Sequence, residues 1–420
     1  MTEISIKKVL DHSSKVEQEL ARGIDISIIS LIDGLLEKAH QSGASDIHID
    51  PSSKEVRVRL RIDGVLQDFY KFPKTIHSEV ISRVKVLARL RTDEHQATQD
   101  GRFRHIFGDK NNNENNEFVD IRVSIAPTYH GENTVMRLLS DKAEGFNLTA
   151  LGFSVDDQDK ILRAMKKTSG MILSTGPTGS GKTTTLYTLI KMLNSKDISI
   201  VTIEDPIEYA IDGIEQIQVN QHAGLTFANG LRSILRQDPN IIMVGEIRDA
   251  ETASIAVNSA LTGHLLFSTL HTNDAATTLP RLLDMGIEPY LVASTVNIAI
   301  GQRLVRKICK HCKGKITLAK AVKDSLLVSP ISKFIDQNFD LYKGKGCSEC
   351  NQTGYKGRLS INEVFVANDE LREAIIKKAS SNELRKIAIA NGMTTMVEDG
   401  LNKVKNGDTT IEEILRVINE

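Results

Sequence analysis

Residues 176–183 read Gly-Pro-Thr-Gly-Ser-Gly-Lys-Thr, and this glycine-rich segment constrains the fold more than any other feature of the chain. An apolar run of β type, Met171 to Thr175, precedes it, and a helical pattern from Thr183 to Leu193 follows it. A strand, such a loop and a helix in this order form a site for nucleotide phosphates. The alternative, a chance glycine-rich turn, does not account for the flanking elements. We therefore predict a P-loop that binds and hydrolyses ATP.

Each residue type of this loop has a chemical role. Gly176, Gly179 and Gly181 allow backbone N–H groups to turn toward phosphate oxygens. Lys182 neutralises the β- and γ-phosphates, and the Thr183 hydroxyl coordinates Mg²⁺. The predicted nucleotide-binding residues are Gly176, Pro177, Thr178, Gly179, Ser180, Gly181, Lys182, Thr183 and Thr184.

Two acidic segments follow at the ends of later predicted strands. One strand ends in Glu204 and the next in Gly245 and Glu246. Carboxylates at the carboxyl ends of parallel strands face the ligand crevice. Because Gly245 stands where a Mg²⁺-linked aspartate is usual, we assign Glu246 to polarising the attacking water and Glu204 to Mg²⁺ and its water shell. The alternative is that Glu204, Asp205 and Glu208 form a solvated acidic loop.

Two histidines, His264 and His271, bracket the apolar strand from Leu265 to Leu270. They lie at opposite ends of that strand and are therefore not two ligands of one metal ion. A lone histidine at a strand end is more often structural. The other interpretation, which we include among the predicted catalytic residues, is that His271 senses the γ-phosphate.

Hydrophobic periodicity divides the chain into two α/β parts. Val56 to Ile62 alternates with period two and leads into Asp63-Gly64, a strong signal for a β-hairpin in a small α+β domain. After residue 150, strands alternate with helices, which indicates a parallel sheet covered on both faces. Residues 111–116 are predicted to be a loop within a hairpin. The predicted divisions are a lead-in at 1–24, the small domain at 25–139, a linker at 140–150, a RecA-like core at 151–304, a cysteine-bearing insertion at 305–360 and a helical C-terminal region at 361–420.

Composition argues against two classes of partner. The 420 residues carry 53 Lys and Arg against 54 Asp and Glu, so the basic excess of a nucleic-acid-binding chain is missing. The sequence contains no apolar stretch of the roughly 18 to 20 residues that cross a bilayer. The polar N-terminus does not resemble a signal peptide. We expect a cytoplasmic chain whose membrane association, if any, is peripheral.

All four cysteines lie in two Cys-x-x-Cys pairs, Cys309 with Cys312 and Cys347 with Cys350. Two such knuckles supply the four thiolates that a tetrahedral Zn²⁺ requires, and His311 is surplus to them. Redox cycling is the alternative, although no thioredoxin-like βαβ pattern surrounds either pair. We predict a structural zinc site.

The motifs together resemble those of the hexameric secretion ATPases of type II secretion and type IV pilus assembly. The matching segments include Ile-Glu-Asp-Pro-Ile-Glu at 203–208, the strand ending in Gly-Glu-Ile-Arg-Asp at 245–249, and Ser-Thr-Leu-His-Thr-Asn at 268–273. The resemblance implies a PAS-like small domain hinged to a RecA-like core. It also implies a hexameric ring that uses ATP and Mg²⁺ to push on an inner-membrane platform protein.

The resemblance assigns arginines that the sequence alone leaves undefined. Arg122 and Arg137 match arginines that reach from the small domain toward the nucleotide phosphates. Arg232, Arg236 and Arg248 match positions at the site between subunits. The alternative for Arg122 and Arg137 is a solvated strand face.

The cysteine pairs favour assembly or export over pilus retraction, because retraction motors usually lack them. The alternative function is a DNA-uptake or DNA-transfer motor of the same superfamily, which the near-neutral charge disfavours. Assembly ATPases usually carry further domains ahead of the small domain, whereas residues 1–24 alone precede it here. This implies a naturally short member or a shortened chain.

Overall fold

The computed structural model describes residues 14–107, 117–139, 147–316 and 340–419. The chain separates into two compact units, Met1–Glu144 and Gly145–Glu420. The predicted loop at residues 111–116 and the first part of the predicted lead-in, residues 1–13, lie outside the described residues. So do residues 317–339 of the predicted insertion and most of the predicted linker.

The first unit contains an antiparallel sheet with helices on its apolar face. Its strands are β1 (Ala44–Pro51), β2 (Glu55–Ile62), β3 (Val65–Pro73), β4 (Gln99–Phe107), β5 (Glu117–Thr128) and β6 (Gly131–Leu139). Its helices are α1 (Lys15–Leu20), α2 (Ile28–Gln41) and α3 (His77–Leu87). The strand order among the described residues is β3-β2-β1-β6-β5-β4.

The period-two pattern sets which face of this sheet is buried. Val56, Val58 and Leu60 of β2 are buried against the helices, and the arginines between them face the other way. The predicted hairpin is confirmed, since Asp63 and Gly64 connect β2 to β3 with φ angles of 50° and 86°. Two successive positive φ values match the right-handed twist of the strands that the turn joins.

The second unit contains a mostly parallel sheet. Its strands, with a small separate hairpin, are β7 (Gly170–Thr175), β8 (Ile200–Glu204), β9 (Glu215–Gln218), β10 (Ile241–Val244), β11 (Leu265–Leu270), β12 (Val296–Ile308), β13 (Lys313–Ile316), β14 (Leu341–Gly344) and β15 (Tyr355–Val366). Among the described residues the sheet order is β15-β12-β7-β11-β10-β8-β9, and β13 pairs only with β14. β15 runs antiparallel to β12, while the other pairings are parallel.

Helices cover both faces of this sheet. They are α4 (Leu148–Leu151), α5 (Val155–Met165), α6 (Lys182–Leu193), α7 (Phe227–Ile234), α8 (Ala250–Leu261), α9 (Ala275–Asp284), α10 (Pro289–Thr295), α11 (Asp369–Ile376), α12 (Ser381–Ala390), α13 (Met396–Lys405) and α14 (Ile411–Asn419). Alternate residues of β7 enter two different cores, Met171 and Leu173 one of them and Ile172 the other. The prediction of a parallel sheet buried on both faces is confirmed.

One boundary differs from the prediction. Residues 361–366, which we predicted to begin a helical region, belong to β15, and the helices start at Asp369. β15 pairs with β12 along its length, and Leu359 to Phe365 are buried on both faces. Buried polar residues such as Asn362 and Glu363 interrupt the apolar run, so the segment shows neither strand nor helix periodicity.

Candidate functional site

The glycine-rich loop connects β7 to α6. Gly176, Gly179 and Gly181 have φ angles of 142°, 80° and 91°, which other residues rarely adopt. A Cβ atom on Gly176 would also lie 2.3 Å from the carbonyl oxygen of Gln302 on β12. The loop therefore requires glycine both for its backbone conformation and for its close approach to β12.

Two side chains of this loop, those of Lys182 and Ser180, indicate where a phosphate anion would bind. The Lys182 ammonium group donates to the carbonyl oxygens of Gly176 (2.8 Å) and Pro177 (2.9 Å), so it is held inside the loop. Burial lowers the pKa of Lys182 below its usual value, and the nearby Glu246 charge offsets only part of this shift. The buried Ser180 hydroxyl has no hydrogen-bond partner among the described residues, which is uncommon for a buried polar group. The Ser180 hydroxyl is thus available to donate to a phosphate oxygen.

Glu246 and His271 come together at the ends of the adjacent strands β10 and β11. His271 Nε2 lies 2.9 Å from Glu246 Oε2, and Arg248 Nη2 lies 2.6 Å from Glu246 Oε1. The Glu246 carboxylate is largely buried, whereas His271 and Arg248 are exposed. This geometry suits a base that an imidazole and a guanidinium group hold in place. Sequence reasoning named these residues but not their contact.

Close packing explains why a glycine, Gly245, precedes Glu246. A Cβ atom on Gly245 would lie 3.3 Å from both the Cα of Glu204 and the carbonyl oxygen of Ile203. The Gly245 N–H also donates to that carbonyl oxygen at 2.8 Å. Strands β8 and β10 therefore converge at this point, which leaves little room for a side chain at position 245.

Glu204 is buried, which excludes the solvated-loop alternative for this residue. Its Oε1 accepts hydrogen bonds from the Thr202 hydroxyl (2.6 Å) and from Gln216 Nε2 (3.2 Å), and its Oε2 accepts from the Tyr187 hydroxyl. Burial raises the pKa of Glu204, and these three donors oppose that shift. Sequence reasoning missed Tyr187, Thr202 and Gln216; the one available signal was that a buried tyrosine usually needs a hydrogen-bond partner.

The remaining predicted residues of this unit lie in three places. His264 contacts the Ser259 carbonyl oxygen at the opposite end of β11 from His271, as predicted. Thr183 and Thr184 are partly exposed in the first turn of α6. Arg232 forms an ion pair with Glu251 at 2.6 Å. A neighbouring guanidinium group, that of Arg236, donates to the Arg232 carbonyl oxygen.

Arg122 and Arg137 lie opposite each other on β5 and β6 of the first unit. Both belong to the sheet face that is not covered by the helices. Arg137 Nε donates to Asp46 Oδ1 at 2.9 Å, and its side chain is 57% exposed. On the same face Arg104 forms two 2.9 Å hydrogen bonds with Asp120. The first unit thus carries several guanidinium groups on this sheet face.

The four cysteine thiols form one cluster. The Sγ atoms of Cys309 and Cys347 are 3.8 Å apart, as are those of Cys312 and Cys350, and all four lie within 4.8 Å of one another. A tetrahedral zinc ion with Zn–S bonds of about 2.3 Å requires S–S separations of about 3.8 Å. Backbone N–H groups of Cys347 and Gly354 donate to Cys350 Sγ at 3.2 and 3.3 Å. The cluster fits a four-thiolate metal site.

Comparison with known proteins decides the family. Residues 23–416 match the family described as Type II/IV secretion system protein. The chain belongs to this family. The type II secretion system protein E of Xanthomonas campestris pv. campestris is 45% identical to it over 97% of this chain and 70% of its own length. The type IV pilus assembly ATPase PilB of Thermus thermophilus is 46% identical over 91% of this chain and 42% of its own length.

A solved structure agrees with this assignment. The crystal structure of the pilus retraction motor PilT with bound ADP has a TM-score of 0.59 and 26% identity, covering 91% of this chain and 95% of that chain. The predicted RecA-like α/β fold class and ATPase activity are thereby confirmed, as is the function class, an ATPase of the type II secretion and type IV pilus assembly family. Within the described residues, no helix combines the length and apolarity needed to span a membrane.

Proposed function

We propose that this family member is the motor that powers assembly of pilin or pseudopilin subunits in a type IV pilus or type II secretion system. The observation that supports it most is the contact of Glu246 with His271 at the sheet edge where β7 enters the phosphate loop. A buried base held by a histidine at that edge is what a hydrolytic, phosphate-sensing site requires.

In this proposal each group has one role. Residues 176–184 bind the ATP phosphates, with Lys182 as the counter-charge. The Thr183 hydroxyl and Glu204 hold Mg²⁺ and its water shell, and Mg²⁺ when bound neutralises charge on the phosphates. Glu246 accepts the proton of the attacking water, and His271 responds to the γ-phosphate.

We assign the four cysteines to one structural Zn²⁺. The Sγ separations support this assignment, and so do the N–H donors to Cys350, which stabilise a thiolate. Burial raises the pKa of Cys350, but these N–H donors and the neighbouring thiols of Cys347 and Cys312 bring it down to about 7. Four protein ligands leave no open position for chemistry, so the ion would fix the two Cys-x-x-Cys turns relative to each other.

The proposed assembly is a homo-hexamer at the cytoplasmic face of the membrane that acts on an inner-membrane platform protein. The test compares ATPase rates of the full chain alone, with a cytoplasmic fragment of that platform protein, and with DNA. We expect stimulation by the fragment and none by DNA, with Lys182→Ala inactive throughout and native mass spectrometry showing six copies. Stimulation by DNA alone would instead support a DNA-transfer motor.

Arg137→Ala is expected to lower the ATPase rate on the order of 10²-fold without abolishing nucleotide binding, because a guanidinium group near the phosphates stabilises transition-state charge. Steady-state kinetics and binding of a fluorescent ATP analogue measure the two effects. Arg104→Ala is the matched control, since Arg104 lies on the same sheet face and is also paired with an aspartate, Asp120, but has no assigned role at the nucleotide. Equal ATPase rates for the Arg137→Ala and Arg104→Ala variants would contradict the assignment of Arg137 to the nucleotide site.

A further inference from the structure

Four side chains of the second unit form a hydrogen-bonded group, which we name the Tyr187 cluster: the buried Tyr187, Thr202 and Glu204 and the partly buried Gln216. They come from three elements, α6, β8 and β9. α6 begins at Lys182, so the cluster joins the helix of the phosphate loop to the strand that ends in Glu204. The roles given above use Glu204 alone.

Tyr187 is held firmly within this cluster. Its ring is fully buried and meets the Tyr209 ring edge-on, with 4.7 Å between the centroids. Its hydroxyl donates to Glu204 Oε2 and accepts a long 3.4 Å hydrogen bond from the Glu208 N–H. The Tyr187 hydroxyl thus contacts both ends of the acidic segment from Glu204 to Glu208.

Gln216 restrains the same segment from the other side. Its Nε2 donates to Glu204 Oε1 and to the Tyr209 carbonyl oxygen, each at 3.2 Å, and its Oε1 accepts from the Ile211 N–H at 2.7 Å. Thr202 and Gln216 both belong to the sheet, whereas Tyr187 belongs to α6. Tyr187 is therefore the one member that fixes the Glu204 carboxylate relative to the phosphate-loop helix.

We propose that Tyr187 is a positioning residue that sets the distance between the Glu204 carboxylate and the first turn of α6, where Thr183 lies. A carboxylate accepts up to about four hydrogen bonds, so three donors leave acceptor capacity for a water bound to Mg²⁺. This inference rests on the proposed role of Glu204 in the Mg²⁺ water shell. It adds that the aromatic hydroxyl, which touches no reacting group, tunes how well the site holds Mg²⁺.

The test uses Tyr187→Phe, Glu204→Gln and the double variant, with Tyr355→Phe as the control. Tyr355 is a partly buried tyrosine of the same unit, and its hydroxyl contacts Thr410 near the cysteine cluster. Binding of a fluorescent ATP analogue is measured with EDTA and across a Mg²⁺ titration, together with kcat and the Mg²⁺ concentration for half-maximal rate. The EDTA measurement also verifies that each variant is folded.

We expect Tyr187→Phe to raise the half-maximal Mg²⁺ concentration about tenfold, the effect of losing one hydrogen bond to a charged group, with binding in EDTA unchanged. The double variant should be no worse than Glu204→Gln, because the hydroxyl acts through that carboxylate. Additive losses, or equal losses with and without Mg²⁺, would overturn the inference.

Two further outcomes separate this inference from the proposed function. If Glu204→Gln leaves the Mg²⁺ dependence unchanged, both the Mg²⁺ assignment of Glu204 and the role of Tyr187 are wrong, while the motor assignment based on Lys182 and Glu246 stands. If Tyr187→Phe behaves as Tyr355→Phe does while Glu204→Gln shifts the Mg²⁺ dependence, the role of Tyr187 alone is wrong.

Discussion

Replacing Glu246 with glutamine is expected to lower the ATPase kcat by about 10²–10⁴-fold, the contribution of a general base, while nucleotide binding persists. Glutamine keeps the size of the side chain and one acceptor oxygen, so the neighbouring His271 and Arg248 retain a partner. It cannot take a proton from water. Single-turnover kinetics with the full chain, alongside fluorescent-nucleotide binding, measure the two properties separately.

Glu215→Gln is the matched control for this experiment, because Glu215 is an exposed carboxylate on β9 of the same sheet. Its kcat should equal that of the unaltered chain. Normal turnover by Glu246→Gln would refute the assignment of the base. Parallel loss of binding and turnover would instead mean that Glu246 holds the loop together and does no chemistry.

The second large effect concerns the cysteine cluster. Cys350→Ser should reduce bound zinc from about one ion per chain to nearly none, because a hydroxyl is a poor substitute for a buried thiolate ligand. Apparent binding free energies of structural zinc in small domains are about 10–16 kcal/mol, so its loss should unfold the two Cys-x-x-Cys turns and the adjacent β13–β14 hairpin. Metal analysis of the purified chain and limited proteolysis between β12 and β15 measure the two consequences.

His311→Ala is the control for the zinc prediction. His311 lies inside the first Cys-x-x-Cys pair, is exposed and is not one of the four clustered ligands. Its removal should leave the zinc content unchanged. If His311→Ala lost zinc while Cys350→Ser kept it, the ligand set would be wrong. Reversible disulfide formation in the metal-free chain, with no zinc bound under any condition, would favour the redox alternative.

Local signals predicted most of the second unit. The phosphate loop, the strands β7, β10 and β11 and the helix α6 are each defined by residues adjacent in sequence, so composition and periodicity suffice for them. The same holds for the Asp63-Gly64 hairpin of the first unit. The order of the strands in the sheet is harder to predict from the sequence, because it depends on crossovers between distant segments.

The contacts of the site could not be derived in this way. Glu204 and Tyr187 are separated by 17 positions, and Glu246 and His271 by 25, so their meeting depends on strand register. Tyr187 has the pattern of an ordinary core residue on a helix. Nothing in the sequence indicates that its hydroxyl is used. The strand at 361–366 was missed for a related reason, since burial of polar residues such as Asn362 removes the periodicity.

The pairing of Ile308 with Tyr355 indicates where members of this family can differ in chain length without disturbing the core sheet. These residues lie where the chain leaves the core sheet and where it returns, on neighbouring antiparallel strands about 5 Å apart. The described residues between them, which include the cysteine cluster and the β13–β14 hairpin, belong to one insertion with fixed ends. Its length can change at a small entropic cost and without altering the register of β12 against β7 beside the phosphate loop. Exchanging residues 309–354 with those of a relative should therefore leave the ATPase core intact, with an unchanged rate in steady-state kinetics.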